Sequence, residues 1–430
     1  MQSKVQNRRQ FLNKSAITGA TALAGFNILR NGYGANKDTL RVGVIGVGGR
    51  GSGAIRDVLT IEQNVEVVAL ADVNKENLEE RVAALKTHKE RGKALTGFNV
   101  TPDRCYFGLD GYKEIVTAPD IDIVFLATPP GFRPEHMEAA VANGKHAFSE
   151  KPVGVDPVGV RRYMAAAKKA KQKGLGVLAG TQRHHQTAYL ETIKRIRDGQ
   201  IGDVMTAHVY WNGGSIWYRE RKPWMTELDY WLYNWYHVDF LSGDHICEQH
   251  IHNLDVANWI MEDHPVKAYG MGGRQFHTDR GGNIYDHFGI EYEYGDGRRV
   301  TSMCRQIADT DRKVGEDIIG TKGQAILARG EITGAKPWKF KNPKSALTSK
   351  QQEHFDFLQS LRNGQPLNEG EMVANSTMTA VMGREAVYTG KVVTWDDMMN
   401  SDLNLMPNNL KTWDGSLHPV PKPGQKRGAF

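Results

Sequence analysis

The chain has 430 residues, 40% of them hydrophobic and 24% charged, proportions that support a buried core and suit two or three domains better than one. Its formal net charge of +6 is spread over scattered Lys and Arg, which excludes the focused basic face that a nucleic-acid binder needs. Three distant cysteines, Cys105, Cys247 and Cys304, make neither a disulfide framework nor a C-x-x-C zinc pair.

Residues 1–35 differ from the rest. Asn7-Arg8-Arg9-Gln10-Phe11-Leu12 carries a twin arginine followed by two apolar residues, and a run rich in Ala, Gly and Thr extends from Ala16 to Leu29. The run is too short to span a bilayer comfortably. The segment resembles a twin-arginine (Tat) export signal, removed near Gly34, and an ordinary basic amphipathic start is the alternative. The resemblance implies a periplasmic or otherwise exported protein. No later stretch is long and apolar enough for a membrane span.

From Thr39 the pattern is that of alternating strands and helices. Leu40–Ile45, Val65–Asp72, Ile121–Ala127, His146–Ser149 and Gly176–Gly180 are short β-branched or apolar runs that predict buried strands. Helical periods lie between them, including Glu135–Asn143 and Val158–Lys173, each followed by Gly. Strands alternating with helices predict a parallel sheet covered on both faces, a Rossmann domain over residues 38–183. After residue 183 the style changes. A helix over Ala188–Asp198 precedes predicted strands at Val204–Trp211, Ala268–Gly273, Asp286–Tyr294 and Arg299–Gln306, and a last helix runs from Met372 to Thr389. The expected class is thus α/β, with an N-terminal Rossmann domain and a C-terminal α+β domain (residues 184–406) built on a mostly antiparallel open sheet. Residues 407–430 are rich in Pro, Gly, Asn and Lys and predict an extended tail.

Gly46-Val47-Gly48-Gly49-Arg50-Gly51 fits G-x-G-x-x-G. The string alone is weak, but here it follows a predicted strand and opens a predicted helix. Gly46 suits the tight turn, Gly48 the approach of a pyrophosphate, and Gly51 close packing of helix on strand. The phosphates would sit on the helix N-terminus, with Gly49 and Arg50 beside them. Asp72 ends the second strand, where a carboxylate accepts bonds from ribose hydroxyls and repels a 2′-phosphate. This favours NAD over NADP, with Lys75 nearby keeping NADP open.

Glu150-Lys151-Pro152 follows the fourth strand, at the carboxyl end of the predicted sheet where ligands gather. A lysine there can stabilise a developing alkoxide, or it can be a solvated surface lysine. Together with Ala127-Thr128-Pro129 after the third strand, the glycine-rich turn and the acidic end of strand two, this ordered set resembles the Gfo/Idh/MocA family over about residues 40 to 395. The resemblance implies a nicotinamide-dependent oxidoreductase acting on a sugar or polyol, with Thr128, Pro129, Glu150 and Lys151 joining the cofactor site and Lys151 catalytic. It also implies an open second sheet that serves as an oligomer interface, in a dimer or tetramer. Many members carry a D-x-x-x-H-x-x-D helix that handles the proton. The corresponding run here is Glu248-Gln249-His250-Ile251-His252-Asn253-Leu254-Asp255, with Glu248 in place of the first Asp. On an α-helix Glu248, His252 and Asp255 share a face, and His252 has a suitable intrinsic pKa for accepting a hydroxyl proton. Glu248 and His252 are therefore expected beside Lys151 in catalysis.

A metal reading competes at the same place. His245, Glu248 and His252 at i, i+3 and i+7 are weak candidate ligands, although no standard zinc spacing is present. Residues 210 to 236 gather five tryptophans and five tyrosines, suited to the C–H faces of sugar rings or to packing under a loop. Arg183, His184, Trp235, Tyr236 and Asp255 are the expected substrate contacts. Three readings of function remain: a sugar or cyclitol dehydrogenase, a redox-neutral NAD-dependent glycoside hydrolase working through a transient keto-sugar, and a binding protein that has lost its chemistry. A metal-assisted lyase or epimerase on the same fold is the remoter alternative. Export favours a cofactor loaded before translocation and not released.

Overall fold

The computed structural model describes residues 39–425 apart from 62–63, 91, 277, 280, 342 and 344–346. The twin-arginine segment lies outside the described residues.

The first sheet contains β1 (Leu40–Ile45), β2 (Val65–Asp72), β3 (Cys105–Phe107), β4 (Ile123–Leu126), β5 (His146–Ser149) and β6 (Val177–Ala179). All pairings are parallel, in the order β3-β2-β1-β4-β5-β6. Helices α1 (Gly49–Ile61), α2 (Lys75–Thr87), α3 (Gly111–Thr117), α4 (Arg133–Ala142) and α5 (Pro157–Gln172) make the connections. Helices on both sides bury both faces of β4, β5 and β6, so those strands read as unbroken apolar runs. The strand order reverses between β1 and β4, which opens a crevice at their carboxyl ends. Local chemistry fixes several starts. Asn74 caps α2 by accepting from the Asn77 amide at 2.8 Å, and Asp156 caps α5 by accepting from Gly159 at 2.6 Å, with Pro157 at the first helical position.

After α6 (Thr187–Arg197) the chain enters the second sheet with β7 (Val204–Gly213). Helices α7 (Glu227–Tyr233) and α8 (Asp239–Ser242), a π-helical turn (Ile246–His250) and α9 (Ile251–Met261) lead to β8 (Pro265–Gly273), β9 (His287–Tyr294), β10 (Arg299–Gln306) and β11 (Lys313–Gly320). Short strands β12 (Gly323–Ile326), β13 (Glu331–Gly334) and β14 (Trp338–Lys339) extend one edge. Helices α10 (Ser349–Arg362) and α11 (Gly370–Thr389), strand β15 (Val393–Thr394) and α12 (Trp395–Met399) follow. The sheet order is β14-β13-β12-β11-β7-β10-β9-β8-β15. Only the β7–β10 pairing is parallel. Strict alternation of burial along β9 reflects one covered and one open face; α11 packs across β8 and β9 on the covered side.

Two features depart from a simple two-domain division. Helix α10, in the half assigned to the second domain, returns to the first sheet. Phe357, Leu358 and Leu361 join the same apolar cluster as Leu40, Val42, Val67 and Phe148. The Leu367 carbonyl also accepts from the Val177 amide at 2.8 Å. The tail forms a strap rather than a loose arm. Leu405 lies buried with Phe132, Phe240 and Leu241, the Trp413 ring meets Phe240 edge-on at 5.2 Å, and Lys411 pairs with Asp110 on the first domain.

Candidate functional site

The glycine-rich turn fills the crevice at the end of β1. Gly46 sits at φ +89°, and a Cβ there would lie 2.7 Å from the Ala127 and Thr128 backbone. A Cβ on Gly51 would lie 1.9 Å from the Gly46 carbonyl oxygen. Gly48 and Gly49 face open space, with nothing within 4 Å of such an atom. The first and third glycines therefore serve internal packing, and the middle pair leaves a bare cradle at a helix N-terminus, the surface a pyrophosphate requires. Asp72 closes the turn. It accepts from the Val47 amide at 2.8 Å, the Asn74 amide at 3.1 Å and the Asn77 side chain at 3.3 Å. Burial raises its pKa against the pull of these donors. Arg50 ties the cradle to the other wall, its Nε standing 2.9 Å from Glu150 and its Nη2 2.9 Å from Asp57. Thr128, at the third wall, is buried with its hydroxyl 3.3 Å from His136 Nδ1. These residues fit a dinucleotide.

Glu150 leads directly into Lys151, which is buried beside the π-helical turn. Its Nζ donates to the Glu248 backbone carbonyl and stands 3.2 Å from Glu248 Oε1. His252 follows one turn later. Its imidazole stacks on Trp211 at 5.9 Å between centroids and makes no hydrogen bond among the described residues. Burial first, then the charges of Lys151, Arg183 and Lys350, hold its pKa well below the usual histidine range, so it is neutral at physiological pH. Tyr236 is buried nearby and accepts from Gln306 Nε2 at 2.5 Å. Burial, with the Glu248 carboxylate adding to it, keeps this phenol protonated. Trp235 and Trp217 adjoin it, with centroids 5.6 and 6.3 Å away.

The other expected residues are deployed differently. Asp255 was expected to face substrate, but both its oxygens are engaged: His184 Nε2 is 2.8 Å from one, and Ser376 donates to the other at 2.8 Å. Burial opposes protonation of His184, but Asp255 outweighs it and raises the pKa; the ring stacks on Trp259 at 4.1 Å. Arg183 donates to buried Glu316 at 2.5 Å, and Glu316 also accepts from Tyr189 and Asn253. The three weak metal candidates do not converge. His245 Nδ1 lies 3.0 Å from Asp244, with the ring wholly buried, and among the described residues no group of three His, Cys, Asp or Glu can hold a metal ion. The π-helical turn is the physical reason, because its extra residue breaks the α-helical register that would align 245, 248 and 252. The aromatic segment also divides. Trp231 is core, packed with Phe132 and Phe240, and Trp224 is exposed.

Lys350, Glu353 and Gln306 stand against these residues and carry no sequence signal. Lys350 lines a depression with Gly49, Arg50, Gly53, Arg56 and Asp57. Glu353 is buried beside Arg50 and Glu150. Helix α10 brings both from the far end of the chain.

A parallel sheet in this order, with a glycine cradle at its switch point and a lysine at the domain junction, defines the class of dinucleotide-binding oxidoreductases with an added α+β domain. The chain belongs to the Gfo/Idh/MocA family. The model described as "Oxidoreductase family, NAD-binding Rossmann fold" matches residues 40–178, and the family's C-terminal domain model matches 189–326. Inositol 2-dehydrogenase of Agrobacterium fabrum is 26% identical over 230 residues, 54% of this chain and 56% of that protein. The chain spans about half the length of the curated relatives it matches. Two solved structures share the fold. Aldose-aldose oxidoreductase from Caulobacter crescentus, complexed with glycerol, has a TM-score of 0.64 at 19% identity, covering 83% of this chain and 99% of that one. Scyllo-inositol dehydrogenase from Lactobacillus casei, with NAD(H) and scyllo-inositol bound, has a TM-score of 0.62 at 21% identity and the same coverage.

Proposed function

We propose that this protein oxidises a hydroxyl of a sugar or cyclitol, passing the hydride to a tightly held NAD, and that it does so after export by the Tat route. The observation that carries the reading is that Lys151, next to the Glu150 that pairs with Arg50 of the glycine turn, is anchored on Glu248 close enough for its charge to act on His252, which has no hydrogen bond among the described residues. When bound, the dinucleotide supplies the hydride acceptor. Lys151 holds the reacting hydroxyl and stabilises negative charge on its oxygen, where fixed charge counts most. Glu248 orients the ammonium from both its backbone and its side chain. His252, neutral in its buried, cation-flanked setting, accepts the hydroxyl proton. Trp217, Trp235 and Tyr236 offer apolar faces for the ring of the substrate. Asp72 favours NAD over NADP by disfavouring a 2′-phosphate. Free nicotinamide nucleotide is not expected outside the cytoplasm, so the cofactor stays bound and a second substrate, or the same one, takes the hydride back.

Self-association through the second sheet completes the reading. On its open face Met271, Gly289, Met303 and Tyr210 lie in one cross-strand row, with Met271 79% exposed and Met303 45%. Such an apolar row on an open sheet supports a homo-oligomer.

Purified protein should release NAD(H) on denaturation. Lys151→Ala should keep that nucleotide but lose about a hundred- to ten-thousand-fold in single-turnover rate on any sugar or polyol the parent oxidises. Near-normal single turnover in Lys151→Ala would remove the junction site from the mechanism.

A further inference from the structure

We propose that Lys350, carried into the crevice by α10, is a cofactor-binding residue that clamps the pyrophosphate of the dinucleotide against the Gly48–Gly49 cradle. The inference rests on the NAD-binding reading above and assigns a residue from the opposite end of the chain to that site.

Four observations support it. Lys350 lines one depression with Gly49 and Arg50, the residues that open α1, and with Gly53, Arg56 and Asp57 further along that helix. The bare backbone at Gly48 and Gly49 shows that this wall is open to a ligand. Most other basic groups around the crevice are neutralised in place: Arg50 by Glu150 and Asp57, Lys151 by Glu248, and Arg183 by Glu316; Arg56, further along α1, is the exception among the residues that line the depression. Lys350 is exposed and has no such carboxylate among the described residues. With Arg56 it supplies uncompensated positive charge that a diphosphate attracts, and Lys350 is the one that reaches this wall from the far end of the chain.

Its position on the helix points the same way. Thr348 caps α10 in a capping box with Gln351, and the first turn contains no acidic residue. Lys350 therefore stands in the first turn, where the helix dipole disfavours a cation. A residue placed against local helix energetics has its compensation elsewhere. The placement is rigid, because α10 packs along α1 and buries Phe357, Leu358 and Leu361 in the first domain's core. An anionic group on the substrate is the competing occupant, since the Lys350 charge is also felt at His252. The depression at Gly49 and Arg50 favours the cofactor.

The test compares wild type, Lys350→Gln and Lys350→Arg as NADH-loaded holoproteins, following loss of bound NADH fluorescence after dilution at low and high salt. Loss of one charge-assisted phosphate contact should speed NADH release about tenfold in Lys350→Gln, with partial rescue by arginine. The difference should shrink at high salt. The melting midpoint of nucleotide-free Lys350→Gln should equal or exceed that of wild type, because removing the lysine relieves the helix end. Unchanged NADH release in Lys350→Gln overturns the proposal; if the substrate KM rises instead, the lysine serves the substrate. Faster release with a lowered nucleotide-free midpoint and no salt dependence also overturns it, as a purely structural effect. A wild-type protein that binds no nicotinamide nucleotide overturns both this proposal and the reading on which it rests.

Discussion

Replacing His185 with Gln should destabilise the protein in a pH-dependent way. His185 ends the short helical turn Gln182–His185 just beyond β6. Its Nδ1 lies 2.7 Å from Asp356 on α10, and its Nε2 lies 3.0 Å from Glu369 at the start of α11. Glu369 in turn accepts from the Ala179 amide at 3.0 Å. One imidazolium therefore binds the returning helices to the edge of the first sheet. Burial works against its charge, but the two carboxylates outweigh burial and raise its pKa from 6.5 to about 10. At ~1.4 kcal/mol per pH unit, that gap is worth about 5 kcal/mol if fully expressed. The folded state binds the proton more tightly than the unfolded chain. The stabilisation is thus complete below about pH 6.5 and lost as pH rises through about 10. At pH 7.5 roughly 3 kcal/mol remains, so Gln at 185 should cost about 2–3 kcal/mol there, more at pH 6 and little near pH 10. Urea unfolding of both proteins at a series of pH values measures this directly. Curves separated by the same free energy from pH 6 to 10, or not separated at all, would refute the assignment of a charged histidine at this junction.

Glu353 titrates in the opposite sense. Burial, with the Glu150 carboxylate adding to it, raises its pKa well above the glutamate range, against Arg50 and His185. The folded state therefore keeps a proton that the unfolded chain gives up near about pH 4.3, and stability falls as pH rises above that value. Glu353→Gln should gain on wild type between about pH 5 and 8 in thermal melts; a gap that stays constant over this range would show that the carboxyl is ionised in the folded state. For export, Arg8→Lys together with Arg9→Lys should leave the precursor in the cytoplasm, as fractionation and blotting would reveal. Unchanged secretion of that double variant would rule out the twin-arginine reading.

The legible parts of this fold were those set by short-range constraints. The glycine-rich turn is an example: φ +89° at Gly46 and the 1.9 Å approach at Gly51 leave room for no other residue, so the constraint is written in the string. The buried parallel strands are legible for the same reason, since burial on both faces demands an unbroken apolar run. Strand β11 (Lys-Val-Gly-Glu-Asp-Ile-Ile-Gly) hides its pattern because Glu316, a core residue, pairs with Arg183. Helix α10 hides likewise, since its buried face includes Glu353 and His354 beside Phe357 and Leu361. A polar residue paid for by a distant partner looks, in sequence, like a solvated one.

The site follows the same rule. Placing Glu248, His252 and Asp255 on one α-helical face assumes 3.6 residues per turn from Glu248 onward, but the turn over Ile246–His250 is π-helical. Such a turn is stabilised by tertiary packing more than by local propensity, so spacing alone does not announce it. Asp255 keeps its place on the helix, yet its partner His184 is 71 residues earlier, a pairing that spacing along the helix does not show. The tail shows what such long-range pairing does for function. Read alone, its Pro, Gly, Asn and Lys predict an extended arm. It is anchored just before it begins by the Leu405 amide, which donates to Asp156 at 2.8 Å, and within it by Trp413 against Phe240. Phe240 and Trp231 lie in the segment that carries Trp235 and Tyr236. The strap thus packs behind the segment that carries Trp235 and Tyr236, with residues from both domains. This aromatic segment is therefore held by contacts that no single motif contains, whereas the cradle of the glycine-rich turn is set within one string.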